Sequence, residues 1–284
     1  MPFIDAHVHV WAAENQRFPT APGFEREATA PLSFTPEELF AHAQPVGVTR
    51  INLIQIRFYG FDNSYMLDAI AQHPDVFVGT AVIDPFAPHI DRTMTELGSR
   101  GIRAFRIHPR LSKQPPQSWL RPEGYMKMFA AAARNRQALS CLIEPDALHE
   151  IDRMCGSYPD TPVVIDHLAR VGFDGSIRLS DVNALCSLAR HRSIYCKIGA
   201  FYALGKKQPP YTDLSALIQR VVNAFGPERC MWESDSPFQV QGVHTYRASI
   251  DLIRERLDFL SATDKDWLLC KTAEKLLFTK ITTE

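Results

Sequence analysis
Two histidines stand two residues apart near the start of the chain, in the run Phe3-Ile4-Asp5-Ala6-His7-Val8-His9-Val10-Trp11. The run reads as a β-strand, and residues at i and i+2 of a strand point to the same face. His7 and His9 therefore project into one space. Two convergent imidazoles make half of a zinc-type site, whose remaining ligands must come from distant parts of the chain. An ordinary pair of hydrogen-bonded histidines has the same spacing, so the rest of the polar residues must decide between the two.

The elements that have to position those residues alternate along the chain. Apolar, β-branched runs at Val48–Ile56, Val76–Ile83, Gly101–Pro109, Ala138–Ile143, Thr161–Ile165, Ser193–Ile198 and Arg229–Glu233 read as seven further strands. Longer amphipathic stretches lie between them. The clearest helix start is Thr35 as N-cap, with Pro36 at the first helical position and Glu38 closing a capping box. Eight strand–helix alternations predict a (β/α)8 TIM barrel of the α/β class, built as one domain over residues 1–284. The stretch 12–34 after the first strand lacks a clean period and reads as a lid or as a contact of a homo-oligomer.

In such a barrel the active site sits at the C-terminal ends of the strands. His7 and His9 lie late in the first strand, Arg57 and Tyr59 end the second, and Arg106 and His108 end the fourth. Glu144 ends the fifth, His167 the sixth, Asp235 the eighth, and Lys197 lies in the seventh. Titratable residues at one rim of seven strands are explained together by a shared polar site. Arg103 and Arg106, three apart, face opposite ways, and His108 shares a face with Arg106.

Composition narrows the partners. Lys plus Arg number 31 against 32 for Asp plus Glu, so the basic imbalance expected of a nucleic-acid or anionic-membrane partner is missing. No apolar run reaches membrane-spanning length, and no basic-then-apolar leader opens the chain. The six cysteines show no Cys-x-x-Cys spacing, which suits reduced thiols in a cytoplasmic protein.

With these residues in place, the chain resembles the amidohydrolase superfamily. The branch is the one that holds amidohydrolase-related metal-dependent hydrolases together with sugar lactonases and pyrone-dicarboxylate lactonases. The carriers are Asp5-Ala6-His7-Val8-His9, Phe58-Tyr59-Gly60-Phe61-Asp62-Asn63, Gly101-Ile102-Arg103-Ala104-Phe105-Arg106, Asp166-His167-Leu168-Ala169-Arg170, Lys197, and Trp232-Glu233-Ser234-Asp235-Ser236-Pro237. The resemblance implies that His7, His9 and Asp235 gather around one divalent metal, zinc or manganese. Asp235 would be the general base toward water, and His167 would orient or polarise the substrate carbonyl.

Several metal-binding branches place a histidine where this chain has Glu144. Glutamate can also ligate zinc or manganese, which makes Glu144 a fourth expected ligand. It could equally pair with an arginine, leaving a site that acts without metal. Arg57, Tyr59, Arg106, His108, Arg170 and Lys197 are the expected substrate-binding residues. Guanidinium groups at a pocket rim suit a small carboxylated molecule, which they bind bidentately. The expected reaction is hydrolysis of a lactone or a related ester or amide. The rivals are lactone isomerisation or nonoxidative decarboxylation at the same site, or a barrel that only binds a ligand.

Overall fold
The structure is a computed structural model, and it describes residues 2–13, 16–24, 31–112 and 114–279. Eight strands pair in parallel, each with the next in sequence: β1 (Phe3–Val8), β2 (Val48–Ile54), β3 (Phe77–Ala81), β4 (Ile102–Ile107), β5 (Ala138–Cys141), β6 (Val163–Ile165), β7 (Ile194–Gly199) and β8 (Cys230–Glu233). The ring closes just past β8. Asp235 N–H donates to the His7 carbonyl at 3.0 Å, and His9 N–H donates to the Ser236 carbonyl at 2.8 Å. The closing seam thus joins the two chain segments that carry His7, His9 and Asp235. Among the described residues no helix is long and apolar enough to cross a membrane.

The helices between strands are α1 (Pro36–Ala43), α2 (Ser64–Gln72), α3 (Ile90–Ser99), α4 (Pro109–Ser112), α5 (Glu123–Asn135), α6 (Leu148–Ser157), α7 (Leu179–Ser187) and α8 (Ser215–Phe225). After β8 come α9 (Tyr246–Asp251) and α10 (Ala262–Asp266), with π-helical turns around them. The capping box of α1 forms as expected: Thr35 Oγ1 accepts from Glu38 N–H, and the Glu38 carboxylate accepts from Thr35 N–H. Of the stretch 12–34, residues 14, 15 and 25–30 lie outside the described residues. Its far end is tied down by the pairing of Phe34 with Trp11.

A two-residue period explains how the strands build a site. Val78, Ala104, Ala138, Val164 and Met231 form a buried apolar cluster with Ile4, sealed by Ala273 and Leu277 of the last helical segment. Two residues further along the chain from each of these stand Thr80, Arg106, Ser140, Asp166 (one residue past the end of β6) and Glu233. An apolar layer is therefore followed by a polar one. Arg103 faces outward and donates to the Gly98 carbonyl.

Gly199 ends β7, where a Cβ would meet the Glu233 carbonyl oxygen at 2.1 Å and Glu233 Cγ at 2.2 Å. Gly199→Ala is expected to cost about 3 kcal/mol of stability through overpacking. A thermal melt matching that of the native chain would show that β7 and β8 part there without strain.

Candidate active site
Asp5 anchors the seam. One carboxylate oxygen accepts from the backbone N–H groups of His7 and Ser234, both at 3.0 Å, and the other from Tyr246 Oη at 2.5 Å. Burial raises its pKa to about 6, against the pull of those bonds. Above this anchor, His9 Nδ1 lies 2.9 Å from the Ile54 carbonyl, to which it must donate. That bond fixes the tautomer and leaves the Nε2 lone pair facing the barrel centre. Burial also lowers the His9 pKa to about 4 and lowers that of His7, so both rings are neutral.

His7 Nε2 and His9 Nε2 lie 3.3 Å apart, and Asp235 Oδ1 sits 3.5 and 3.4 Å from them. Asp235 Oδ1 is buried without a hydrogen-bond partner among the described residues. A tetrahedral zinc with bonds of about 2.0–2.2 Å holds its ligand atoms roughly 3.3–3.6 Å from one another. The three atoms therefore fit a single divalent cation. Burial would raise the Asp235 pKa, but His167, His9 and His7 outweigh it and keep the carboxyl ionised. Its second oxygen accepts from Tyr202 Oη at 2.7 Å.

His167 follows β6 in an uncommon backbone. His167, Leu168, Ala169 and Arg170 have φ of 54°, 53°, 52° and 58°, and Ala200 after β7 and Asp235 after β8 are left-handed too. Non-glycine residues in this region cost about 1–2 kcal/mol each, so strain is concentrated at the strand ends that carry the site. Glu233 Oε1 accepts from the His167 backbone N–H at 3.1 Å and from Nδ1 at 2.6 Å. His167 Nε2 is left toward Arg106 Nη2, at 3.2 Å, and Asp235 Oδ2, at 3.9 Å. Burial opposes charge on the ring, but Glu233 and then Asp235 outweigh it and raise the His167 pKa.

A cavity of about 850 Å³ opens over this floor, with His9, His167 and Asp235 at its base. Arg57, Arg106, Arg110 and Arg170 line its wall. Arg106 is oriented by Asp166, whose Oδ2 accepts from Nε at 3.2 Å. Arg57 lies near the Phe24 and Phe58 rings, and neither it nor Arg110 has an acidic partner among the described residues.

Not every expected residue joins the site. Glu144, expected as a fourth ligand, stands on the cavity wall instead: its side chain is 58% exposed and meets Arg170 Nη1 at 3.1 Å. The chain turns outward after β5 ends at Cys141, and Glu144 travels with it. Tyr59, expected to touch substrate, is buried away from the cavity lining, and its Oη accepts from Ala12 N–H. The segment Arg57–Tyr59 is a 3₁₀ turn, so the strand rule of shared faces fails there. Lys197 is also absent from the lining and lies beneath the floor.

Arg57, Arg106, His108 and Arg170 do line the cavity, with Phe173 against the Arg170 guanidinium. Tyr202 and the bridging role of Glu233 were missed. An aromatic residue three places past the end of the seventh strand and a carboxylate two residues before Asp235 were the available signals.

His108 Nδ1 is buried and unpartnered among the described residues. Burial first, then Arg106 and Arg110, lower its pKa to about 4. The unfolded chain would bind a proton there near pH ~6.5, so the stability linked to His108 is full above that pH and is lost as pH falls toward about 4. Unfolding in denaturant at about pH 7 and about pH 4.5 should show an acid-side loss that is about 2 kcal/mol smaller in His108→Gln. Identical losses in the two proteins would remove His108 from the acid response.

The chain is 26% identical over 239 residues to a 4-sulfomuconolactone hydrolase of Rhizobium radiobacter, covering 82% of this chain and 75% of that one. It is 27% identical over 244 residues to a 2-pyrone-4,6-dicarboxylate hydrolase of Comamonas testosteroni, covering 82% and 76%. A crystal structure of an amidohydrolase from Burkholderia multivorans with bound zinc superposes with a TM-score of 0.83 at 18% identity, over 99% of this chain and all of that one. The family model for amidohydrolases matches residues 4–279, and the chain belongs to that family.

Proposed function
We propose that this protein opens the ring of a small anionic lactone by hydrolysis. The observation that carries the reading is the ionised, unpartnered oxygen of Asp235, set between two imidazole nitrogens at the base of an arginine-lined cavity. Both relatives named above are hydrolases, one of a lactone and one of a pyrone dicarboxylate, and both names imply anionic substrates. In this reading Arg106, with Arg57 and Arg110 further out, holds the substrate's anionic group, and Arg170 with Glu144 shapes the rim.

His7, His9 and Asp235 would hold one divalent metal, zinc or manganese: their ligand atoms converge on one point, and a solved neighbour of the same fold holds zinc. Such an ion supplies Lewis acidity that polarises a carbonyl and makes water more acidic. The chain's own residues do the rest. Asp235 accepts the proton of the attacking water, while Tyr202 keeps its carboxylate aimed. Arg106 stabilises the negative charge that grows on the lactone carbonyl oxygen, and His167 Nε2, which accepts from Arg106 Nη2, holds that guanidinium in place. When the carbon–oxygen ring bond breaks, Asp235 returns the proton to the leaving oxygen.

A panel of carboxylated lactones assayed with a pH indicator and a gas sensor tests the reading. Ring opening at neutral pH releases acid without carbon dioxide. Carbon dioxide release would mark a decarboxylase, and turnover with neither signal would mark an isomerase.

A further inference from the structure
Lys197 takes no part in the steps above, yet its cation is sealed beneath the cavity at 1% exposure. Nζ lies 3.0 Å from His7 Nδ1, 3.0 Å from Asp166 Oδ1 and 3.4 Å from Ser140 Oγ. An ammonium has three protons and no lone pair, so each of these contacts is a donation. Ser140 Oγ–H in turn donates to Asp166 Oδ1 at 2.6 Å, leaving its oxygen lone pairs to the lysine. His7, Asp166 and His167 also bring ligand atoms together as a second potential cation group. The ammonium touches two of its three members, so that place is already filled.

On the other side of the same ring nitrogen, Glu233 Oε2 lies 3.1 Å from His7 Nδ1. It is a buried carboxylate oxygen with no hydrogen-bond partner among the described residues. One nitrogen cannot accept from Lys197 and donate to Glu233 at once. The two neighbours require opposite tautomers. With Lys197 donating, the ring proton sits on Nε2, facing His9 and Asp235, and His7 cannot ligate. With Glu233 accepting, the proton sits on Nδ1 and the Nε2 lone pair faces the cation position.

We propose that Lys197 is a positioning residue that weakens metal binding by holding His7 in its non-ligating tautomer, and that Glu233 takes over the His7 Nδ1–H when a divalent cation binds. The inference rests on the reading of His7, His9 and Asp235 as ligands. The proton lost from Nε2 reappears on Nδ1 by exchange with water, so the ring stays neutral. Lys197 keeps Asp166 and Ser140 as acceptors throughout. The two orphaned carboxylate oxygens, on Glu233 and on Asp235, then have one explanation.

The test is a titration of the metal-stripped full chain with zinc against a chromophoric chelator. Wild type and Lys197→Met should each take one zinc, with Lys197→Met binding at least about tenfold tighter. Lys197→Arg, which keeps the charge and donors, should stay within about threefold of wild type. Unchanged or weaker binding by Lys197→Met overturns the proposal alone. Absence of zinc binding in every protein, or undiminished binding in His7→Gln, overturns the ligand reading and the proposal with it.

Lys197→Met leaves Asp166 short of a partner, and should it fail to fold, wild type alone decides. Nitrogen NMR of histidine-labelled protein, with His7 identified by its loss in His7→Gln, should show Nε2–H without zinc and Nδ1–H with it. Nδ1–H in both states overturns the proposal.

Discussion

Asp235→Asn is expected to lower kcat for lactone opening about a thousandfold while leaving the fold in place. Asparagine keeps the shape, tolerates the left-handed backbone that Asp235 occupies, and still accepts from Tyr202 Oη. Its backbone N–H still closes the seam onto the His7 carbonyl. Only the proton acceptor and the charge between the two imidazoles are lost. Turnover at saturating substrate, with a melting curve alongside, checks the result. Wild-type kcat in a folded Asp235→Asn protein would remove Asp235 from the chemistry.

Arg106→Met is the second large effect. Arg106 Nε is committed to Asp166 and Nη2 lies against His167 Nε2, so the guanidinium is preoriented with its remaining donors on the cavity. A hydrogen bond to a charged group contributes about 1.5–3 kcal/mol, so KM for an anionic lactone should rise about 30-fold. The neutral ester of the same compound should show a much smaller rise, because it brings no charge to the arginine. kcat should fall for both, since His167 loses a neighbour. Equal KM changes for acid and ester would refute the carboxylate role.

Much of this arrangement was legible in the sequence, for reasons tied to period. Strand alternation placed His7 with His9 and Arg106 with His108, and the barrel rule moved seven strand ends to one rim. The errors share a cause: a one-dimensional pattern gives a side chain's face but not its depth along the barrel axis. Lys197 points inward as expected, yet lies one layer below the cavity, against Asp166 and His7. Glu144 and Tyr59 lie past the last strand residue, where turns replace the two-residue period. The left-handed run His167–Arg170 was invisible because none of its residues is glycine, and Tyr202 hid on a short turn after Ala200.

The most direct test of the central claim is isotopic. The first lactone found to be turned over should be opened in water enriched in oxygen-18 and its product analysed by mass spectrometry and carbon NMR. Attack by water on the carbonyl predicts one heavy oxygen, in the new carboxylate and none in the new hydroxyl. Heavy oxygen in the hydroxyl, or none in the product, would contradict hydrolysis at the carbonyl by an Asp235-activated water.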